Sequence, residues 1–439
     1  MEGGEGPIMS HNTITIVQGG QYGSEAKGAI TAYIAESERT NIAVRTGAVN
    51  AGHTVYWKGS PYKFQQLPVA WVNPDTYLVI GAGALIHQDV LDSEIALINR
   101  LTGRDVRDRL LIDFHAGVHT SKHTDRSTAS GRHHKMGATG KGCSEALIDK
   151  IAGRGAGYQT FGMIDHIMQY NIGDTAQYLN RAYDAGQKIL IEGTQGTLLD
   201  LHTGPYPFTT HKSTLPAAWM AECGLSPALP TDIVLVVRTY PIRVAGNSGY
   251  LPMETSWPVL ARLINTKREL RGMGPLVETW AIVEFESALA ETVRTRMWDL
   301  PVGTDGSDQH QWADRDKYQV ALSELNQYAM KSLPLATVEE LGRLFEFTTV
   351  TKKLRRVGKL SLPDLKRAGQ LCRPHRVAVT FMNYQYPEYW FAKDGDPSPD
   401  GEPISRYLQT IETTIGAPVQ LLSWGPKSSH IVRRFTNGK

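Results

Sequence analysis

Seven short β-branched or apolar runs of strand length recur along this chain, several followed by glycine or a polar loop: Ile14–Val17, Ala43–Arg45, Leu78–Ile80, Leu110–Ile112, Ile189–Ile191, Ile233–Val237 and Val377–Phe381. Strands apolar on both faces belong in a largely parallel sheet covered by helices. The helical patterns fall between them, at Asp89–Leu101, Ser144–Ala152, Asp174–Ala185, Val259–Leu270, Lys317–Met330 and Ile404–Ile415. The alternation predicts an α/β fold with a largely parallel central sheet flanked by helices. A chain of 439 residues also exceeds the usual single-core size, so insertions are expected. The reading is an N-terminal tail over 1–12 and one large catalytic domain over 13–439, with a helical insertion at 287–344. The Pro301–Asp308 stretch and the Lys393–Pro403 stretch read as polar loops.

The first strand runs into Val17-Gln-Gly-Gly-Gln-Tyr-Gly-Ser-Glu-Ala-Lys-Gly28, and Ala29 to Glu36 reads as a helix. Backbone N–H groups and a lysine at a helix N-terminus are suited to phosphate. The loop departs from G-x-x-x-x-G-K-[ST], because Gly28 stands where a magnesium-binding hydroxyl would follow the lysine. Taken alone it fits phosphate binding and a plain strand-to-helix turn equally. Two further glycine-rich loops, Gly137–Gly142 and Glu192–Asp200, together with Asn50-Ala-Gly-His-Thr54, follow later in the chain. Several lie at the carboxyl ends of expected strands, where α/β proteins bind ligands. Three such loops suggest more than one phosphorylated ligand. The basic stretch Thr351–Gly358 reads either as a solvated turn or as a carboxylate- or phosphate-recognising loop.

Charge excludes some functions. Lys plus Arg number 46 against 44 Asp plus Glu, a net charge of +2, which argues against a polyanion-directed surface and so against nucleic acid as the main partner. Cys143, Cys223 and Cys372 lack metal-ligand spacing and suit a reducing compartment. No run of about 18 apolar residues suggests a membrane span. A cytoplasmic protein is expected, in the host cytoplasm if the chain is viral.

In order, the Gly23–Gly28 loop, Asn50–Thr54, Gly137–Gly155, Glu192–Thr210, Arg238–Pro252, Thr351–Gly358 and Ser423–Pro426 resemble the adenylosuccinate synthetase family. That family joins aspartate to a 6-oxopurine nucleotide at the expense of a nucleoside triphosphate, on a P-loop-like core. The resemblance implies a triphosphate site at Gly23, Glu25, Ala26, Lys27 and Gly28, with Asn383, Ser423, Gly425 and Pro426 on its base side. It implies His53 and Lys27 as catalytic groups, and Asn50, Thr139, Gln195 and Thr210 around the monophosphate substrate. Thr351, Arg355 and Arg356 fall in the aspartate loop. Magnesium is the implied metal, on the Gly52 carbonyl, and a homodimer the implied assembly.

Four departures from the family pattern carry information. Ser24 stands where the family has an aspartate that takes the purine N1 proton and binds magnesium; a hydroxyl is a poor base and a weaker metal ligand. Glu25 is the nearest carboxylate in sequence. Thr380-Phe-Met-Asn383 replaces the guanine-reading Thr-Lys-x-Asp, and Asn383, with Phe381 as a stacking face, suits adenine. Gly153 stands in place of an intersubunit arginine, with Arg154 beside it. Lys353 and Leu354 replace arginines of the aspartate loop, which weakens bidentate recognition but leaves Arg355. The Ser24 change resembles the bacteriophage 2-aminoadenylosuccinate synthetase branch. The function expected is therefore condensation of dGMP with L-aspartate, using ATP or dATP, with Ser24 at the purine. An ordinary synthetase acting on inosinate and an inactive nucleotide-binding relative are the alternatives.

Overall fold

The computed structural model describes residues 14–131, 137, 139–155, 157–164, 167–296, 314–348, 353–390 and 401–434. The expected tail over 1–12, the loop 301–308, Thr351 and most of the loop 393–403 lie outside that set.

The strands in chain order are β1 (Ile14–Gly19), β2 (Ile42–Arg45), β3 (His53–Trp57), β4 (Ser60–Phe64), β5 (Tyr77–Ile80), β6 (Leu85–Ile86), β7 (Leu110–Asp113), β8 (Gly117–Val118), β9 (Ile172–Gly173), β10 (Ile189–Glu192), β11 (Thr231–Arg238), β12 (Ile242–Arg243), β13 (Glu254–Thr255), β14 (Arg356–Gly358), β15 (Arg376–Thr380), β16 (Val419–Ser423) and β17 (Ile431–Arg433). Ten of them make one sheet in the order β17-β16-β15-β11-β1-β10-β2-β5-β7-β9. Its neighbours run parallel except the edge pair β16 and β17. All seven apolar runs of the sequence fall in this sheet. Phe381 does not: the strand ends at Thr380, and Phe381 turns into a left-handed conformation at φ 56°.

Both faces of the sheet are buried. Ile14 and Ile16 of β1 pack with Leu179, Trp219 and Met220 on one side, while Val17 joins Ile30, Ile34 and Trp71 on the other. Each such side chain contributes about 1.5–3 kcal/mol when fully buried. The helix Lys27–Ser37 is buried nearly all round, which is why it lacks an amphipathic pattern. The hairpin β3–β4 covers it.

A second core gathers Trp257, Ile264, Phe285, Leu341 and Phe345 against the small sheet β12-β14-β13. The helices Thr279–Arg296, Asp314–Ser332 and Leu335–Leu341, which occupy the described part of 287–344, pack there. Leu354 and Val357 belong to the same core, so the basic loop of the sequence is mounted on it. All three cysteines are buried and free. Among the described residues no helix is long and apolar enough to cross a membrane.

Candidate active site

The loops after β1, β2, β10, β11, β15 and β16 leave the same, carboxyl-terminal edge of the sheet, and the described candidate residues other than Thr139, Arg355 and Arg356 lie on them or at the strand ends beside them. The phosphate loop leaves β1 between β10 and β11. Gly23, Ser24 and Ala26 take positive φ of 87°, 60° and 64°, which bends the backbone sharply before the helix. Ala26 caps that helix without any side-chain bond, so its first N–H groups have no protein cap and are available to an anion. Lys27 is 3% exposed, and its Nζ lies 2.7 Å from Glu25 Oε2. Glu25 Oε1 accepts from the Gln21 and Gly23 N–H groups at 3.1 and 2.8 Å. Glu25 is thus fully buried and committed to shaping the loop, which removes it as an acceptor for a purine proton. Ser24 is exposed, with its carbonyl held by Arg238 at 3.1 Å.

Gly28 has a steric reason to follow the lysine. A Cβ there would sit 2.8 Å from the Thr54 carbonyl oxygen and 3.0 Å from His53 Cβ. The glycine lets β3 dock on the helix and brings His53 to the phosphate loop.

His53 is held by a buried carboxylate. Its Nδ1 lies 2.5 Å from Glu192 Oε1, which also accepts from Arg45 Nη1 at 2.6 Å, while Oε2 accepts from the Val69 N–H at 2.8 Å. Burial pushes Glu192 upward, but Arg45, the His53 bond and the Val69 bond outweigh it and hold the carboxyl below its usual range. Burial, with help from Arg45 and Lys27, pushes the imidazole down to about 4 against the pull of Glu192. With Glu192 ionised, Nδ1 carries the proton and Nε2 is the ring atom free to meet a ligand. A polyanionic ligand would raise the imidazole's proton affinity, and the same carboxylate would then stabilise the imidazolium. Neither Arg45 nor Glu192 was singled out from sequence; the available signal was a charge ending each of two otherwise apolar strands.

The loop after β10 abuts the phosphate loop. A Cβ on Gly196 would overlap the Gln21 carbonyl and lie 2.5 Å from the Gly23 nitrogen. Gln195 has φ 62°, and its carbonyl oxygen lies against Gly19 beside Lys27 Nζ. Asp200 organises the return of the chain, accepting from the His202, Thr203 and Thr214 N–H groups and from Ser213 Oγ. Thr210 bonds through its N–H to the Leu199 carbonyl at 2.7 Å. Next to it opens a cavity of about 310 Å³, with Lys150, Arg154, His211, Lys212 and Glu222 in its wall. Lys212 is tied to Glu222 and the Thr46 carbonyl. His211 Nε2 is buried with no partner among the described residues, and burial pushes the ring down to about 3. Asn50 lies in the loop that leads to His53. Thr139 is exposed.

The two arginines grouped by sequence in the aspartate loop differ. Arg356 makes five bonds, two to Glu254 and one each to Ser248, Gly249 and Gln319, which accounts for every guanidinium donor and makes it a structural tie. Arg355 donates through Nε to the Phe347 carbonyl at 3.2 Å, and its terminal nitrogens have no hydrogen-bond partner among the described residues. Asn383 is half-buried in the turn Met382–Gln385 after β15. One face of Phe381 is already covered by the Arg238 guanidinium, 3.8 Å from the ring centroid, which leaves only the other for a base. Ser423 Oγ donates to the Gly425 carbonyl at 2.9 Å, closing the turn before Pro426.

Gly52 and Ser24, the two oxygen donors that sequence reading offered to a metal, are both exposed. The Lys63 side chain lies against Gly52. Among the described residues no group of three or more His, Cys, Asp or Glu could hold a metal ion. Two oxygen donors on separate loops, the Gly52 carbonyl before β3 and the Ser24 hydroxyl after β1, suit magnesium, which keeps waters and leans on substrate phosphates, better than a caged transition metal.

The fold and site together are those of an α/β protein whose glycine-rich loop, with an uncapped helix end, lies beside a carboxylate-oriented histidine. The adenylosuccinate synthetase family model matches residues 16–165 and 156–385, and the chain belongs to that family. An adenylosuccinate synthetase of Methanococcus aeolicus is 34% identical over 55% of this chain and 70% of its own length. That of Pyrococcus horikoshii is 26% identical over 95% and 98%. Among solved structures, the succinoaminodeoxyadenylate synthetase of cyanophage S-2L, bound to dGMP and dATP, superposes with a TM-score of 0.67 at 23% identity, covering 97% of this chain and 96% of that one. The fully ligated adenylosuccinate synthetase of Plasmodium falciparum gives 0.66 at 18% identity, covering 97% and 100%. At these identities the likeness establishes the fold.

Proposed function

We propose that this ligase condenses dGMP with L-aspartate, using ATP or dATP, to give 2-amino-2′-deoxyadenylosuccinate, ADP or dADP and phosphate. The observation that carries the reading is Ser24. It stands, exposed, on the phosphate loop where the family has an aspartate beside purine N1. Shortening that side chain makes room for the 2-amino group that guanine carries next to N1. Asn383, in place of the guanine-reading carboxylate, favours an adenine triphosphate.

In the proposed reaction the γ-phosphoryl group passes to purine O6 with the N1 proton released to water at the exposed Ser24 side, and the aspartate amine then displaces phosphate from C6, giving up a proton to solvent. Lys27 and the uncapped helix amides would hold the triphosphate, and His53 would meet the transferring group through Nε2 while Glu192 fixes its ring. Magnesium, held by the Gly52 carbonyl and the Ser24 hydroxyl with phosphate oxygens, would supply charge neutralisation. Asn50, Thr139, Gln195 and Thr210 would surround the monophosphate, with the basic cavity at Arg154 and His211 beside it. Arg355 would take an aspartate carboxylate.

The neighbour solved with dGMP and dATP supports this reading, while the curated relatives carry the name adenylosuccinate synthetase, which supports the ordinary activity as the alternative. Phosphate release by purified protein with dGMP, L-aspartate, ATP and Mg²⁺, with the product identified by mass, tests it. Release with inosinate and none with dGMP would establish the ordinary activity instead.

A further inference from the structure

Arg238 ends β11 fully buried, yet its guanidinium meets three different loops. Nη1 donates to the Ser24 carbonyl on the phosphate loop. The guanidinium plane covers Phe381, which opens the turn carrying Asn383. Both terminal nitrogens engage the Glu346 carboxylate, which also accepts from Tyr384 Oη at 2.8 Å. Glu346 in turn holds the basic loop, since its backbone carbonyl accepts the Arg355 N–H at 2.8 Å. Gln21 closes the circuit: its Oε1 accepts from the Arg238 N–H at 2.9 Å and its Nε2 donates to the Arg238 carbonyl at 3.1 Å. Ser24 and Phe381, both in contact with this guanidinium, are non-glycine residues at positive φ, conformations that persist only where their surroundings enforce them.

An ion pair with one fully buried partner, Arg238, and one partly exposed, Glu346, is a poor way to gain stability alone, because desolvating the guanidinium consumes much of the attraction. Its directional bonds do something apolar packing cannot: they fix three loops to one rigid fork. We infer that the Arg238–Glu346 pair couples the subsites, so that filling the phosphate loop raises affinity at the Arg355 loop, and the reverse. An anion in the phosphate loop fixes the Ser24 carbonyl, which orients the guanidinium, which sets Glu346 and with it the Arg355 backbone. The inference rests on the reading of Arg355 as the aspartate-binding group. Coupling of this kind is typically about 5–150-fold and must be reciprocal.

The test is calorimetric titration of the full chain with L-aspartate, with and without a β,γ-imido ATP analogue and Mg²⁺, in the presence of dGMP and separately of inosinate. Running both purines makes the outcome independent of which one is the substrate. The wild type is expected to bind aspartate at least about fivefold more tightly with the analogue present, and the analogue more tightly by the same factor with aspartate. Glu346→Gln, which keeps the side chain's shape, is expected to bring that factor toward one. A purely structural role would weaken both ligands alike and leave the factor unchanged. No coupling in the wild type with either purine, or full coupling in Glu346→Gln, would overturn the inference. Aspartate binding that survives Arg355→Ala at wild-type strength would refute the subsite assignment instead, and the coupling built on it.

Discussion

Replacing Glu192 by Gln isolates the orientation of His53 from the rest of the site. The carboxylate receives three donors, Arg45 Nη1, His53 Nδ1 and the Val69 N–H, in a fully buried position. An amide has one oxygen to offer and no charge, so in either orientation its NH₂ group faces a donor and Arg45 keeps a buried charge without its counter-ion. Breaking a buried pair costs roughly 3–5 kcal/mol, and Gln keeps part of the bonding, so about 3 kcal/mol is expected. At about 2.1 cal/mol/K per residue, a 439-residue chain shows this as a Tm loss of about 3 °C. The chemical step should suffer more, because an amide no longer fixes the proton on Nδ1 or stabilises an imidazolium. Formation of the 6-phosphorylated purine in a single turnover is expected to slow by about 10²- to 10⁴-fold. Rapid-quench measurement of ADP formation at saturating ligands gives the rate, and a thermal melt gives the stability. A variant that loses the expected Tm but transfers phosphoryl at the wild-type rate would refute the role given to Glu192.

Ser24→Asp should lower kcat/KM for dGMP and raise it for inosinate; an unchanged ratio would remove Ser24 from the specificity argument. Gly196→Ala should push the phosphate loop away from the loop after β10, destabilise by about 1–3 kcal/mol and raise KM for the triphosphate, whereas an unaltered Tm and KM would show that the contact yields freely. Stability should fall in acid through His53 and His119, both buried and both pushed down to about 4, chiefly by burial. Their neutral forms are kept on folding, so the contribution is whole above about pH 6.5 and fades as pH drops toward 4, by up to about 1.4 kcal/mol per pH unit for each ring. A Tm that stays flat from pH 7 to pH 5 would contradict this.

The sheet was legible because its strands are buried on both faces and read as unbroken apolar runs. β16 and β17 were not read as strands: Gln420 interrupts the apolar run of β16, and β17 is three residues long with Arg433 at the sheet's edge. The helix Leu362–Cys372 begins with Ser361 as its cap and Pro363 in its first turn, a start signal that was there to be used. At the site, the loops and Lys27 followed from glycine spacing and strand order. The polar connections did not, since Glu192 meets Arg45 from 147 residues away and Arg238 meets Glu346 from 108. Such pairs depend on sheet order, which local pattern does not encode. The same limit explains Arg355 and Arg356, adjacent in sequence but with opposite roles, because alternate positions at a strand's start face different surroundings.

The most direct test of the central claim is a competition in one vessel. Purified protein receives equal dGMP and inosinate with L-aspartate, ATP and Mg²⁺, and the two succinyl products are separated and weighed by mass spectrometry. The product ratio equals the ratio of kcat/KM values. With Ser24 at the purine, 2-amino-2′-deoxyadenylosuccinate is expected to dominate. A mixture dominated by adenylosuccinate would contradict it.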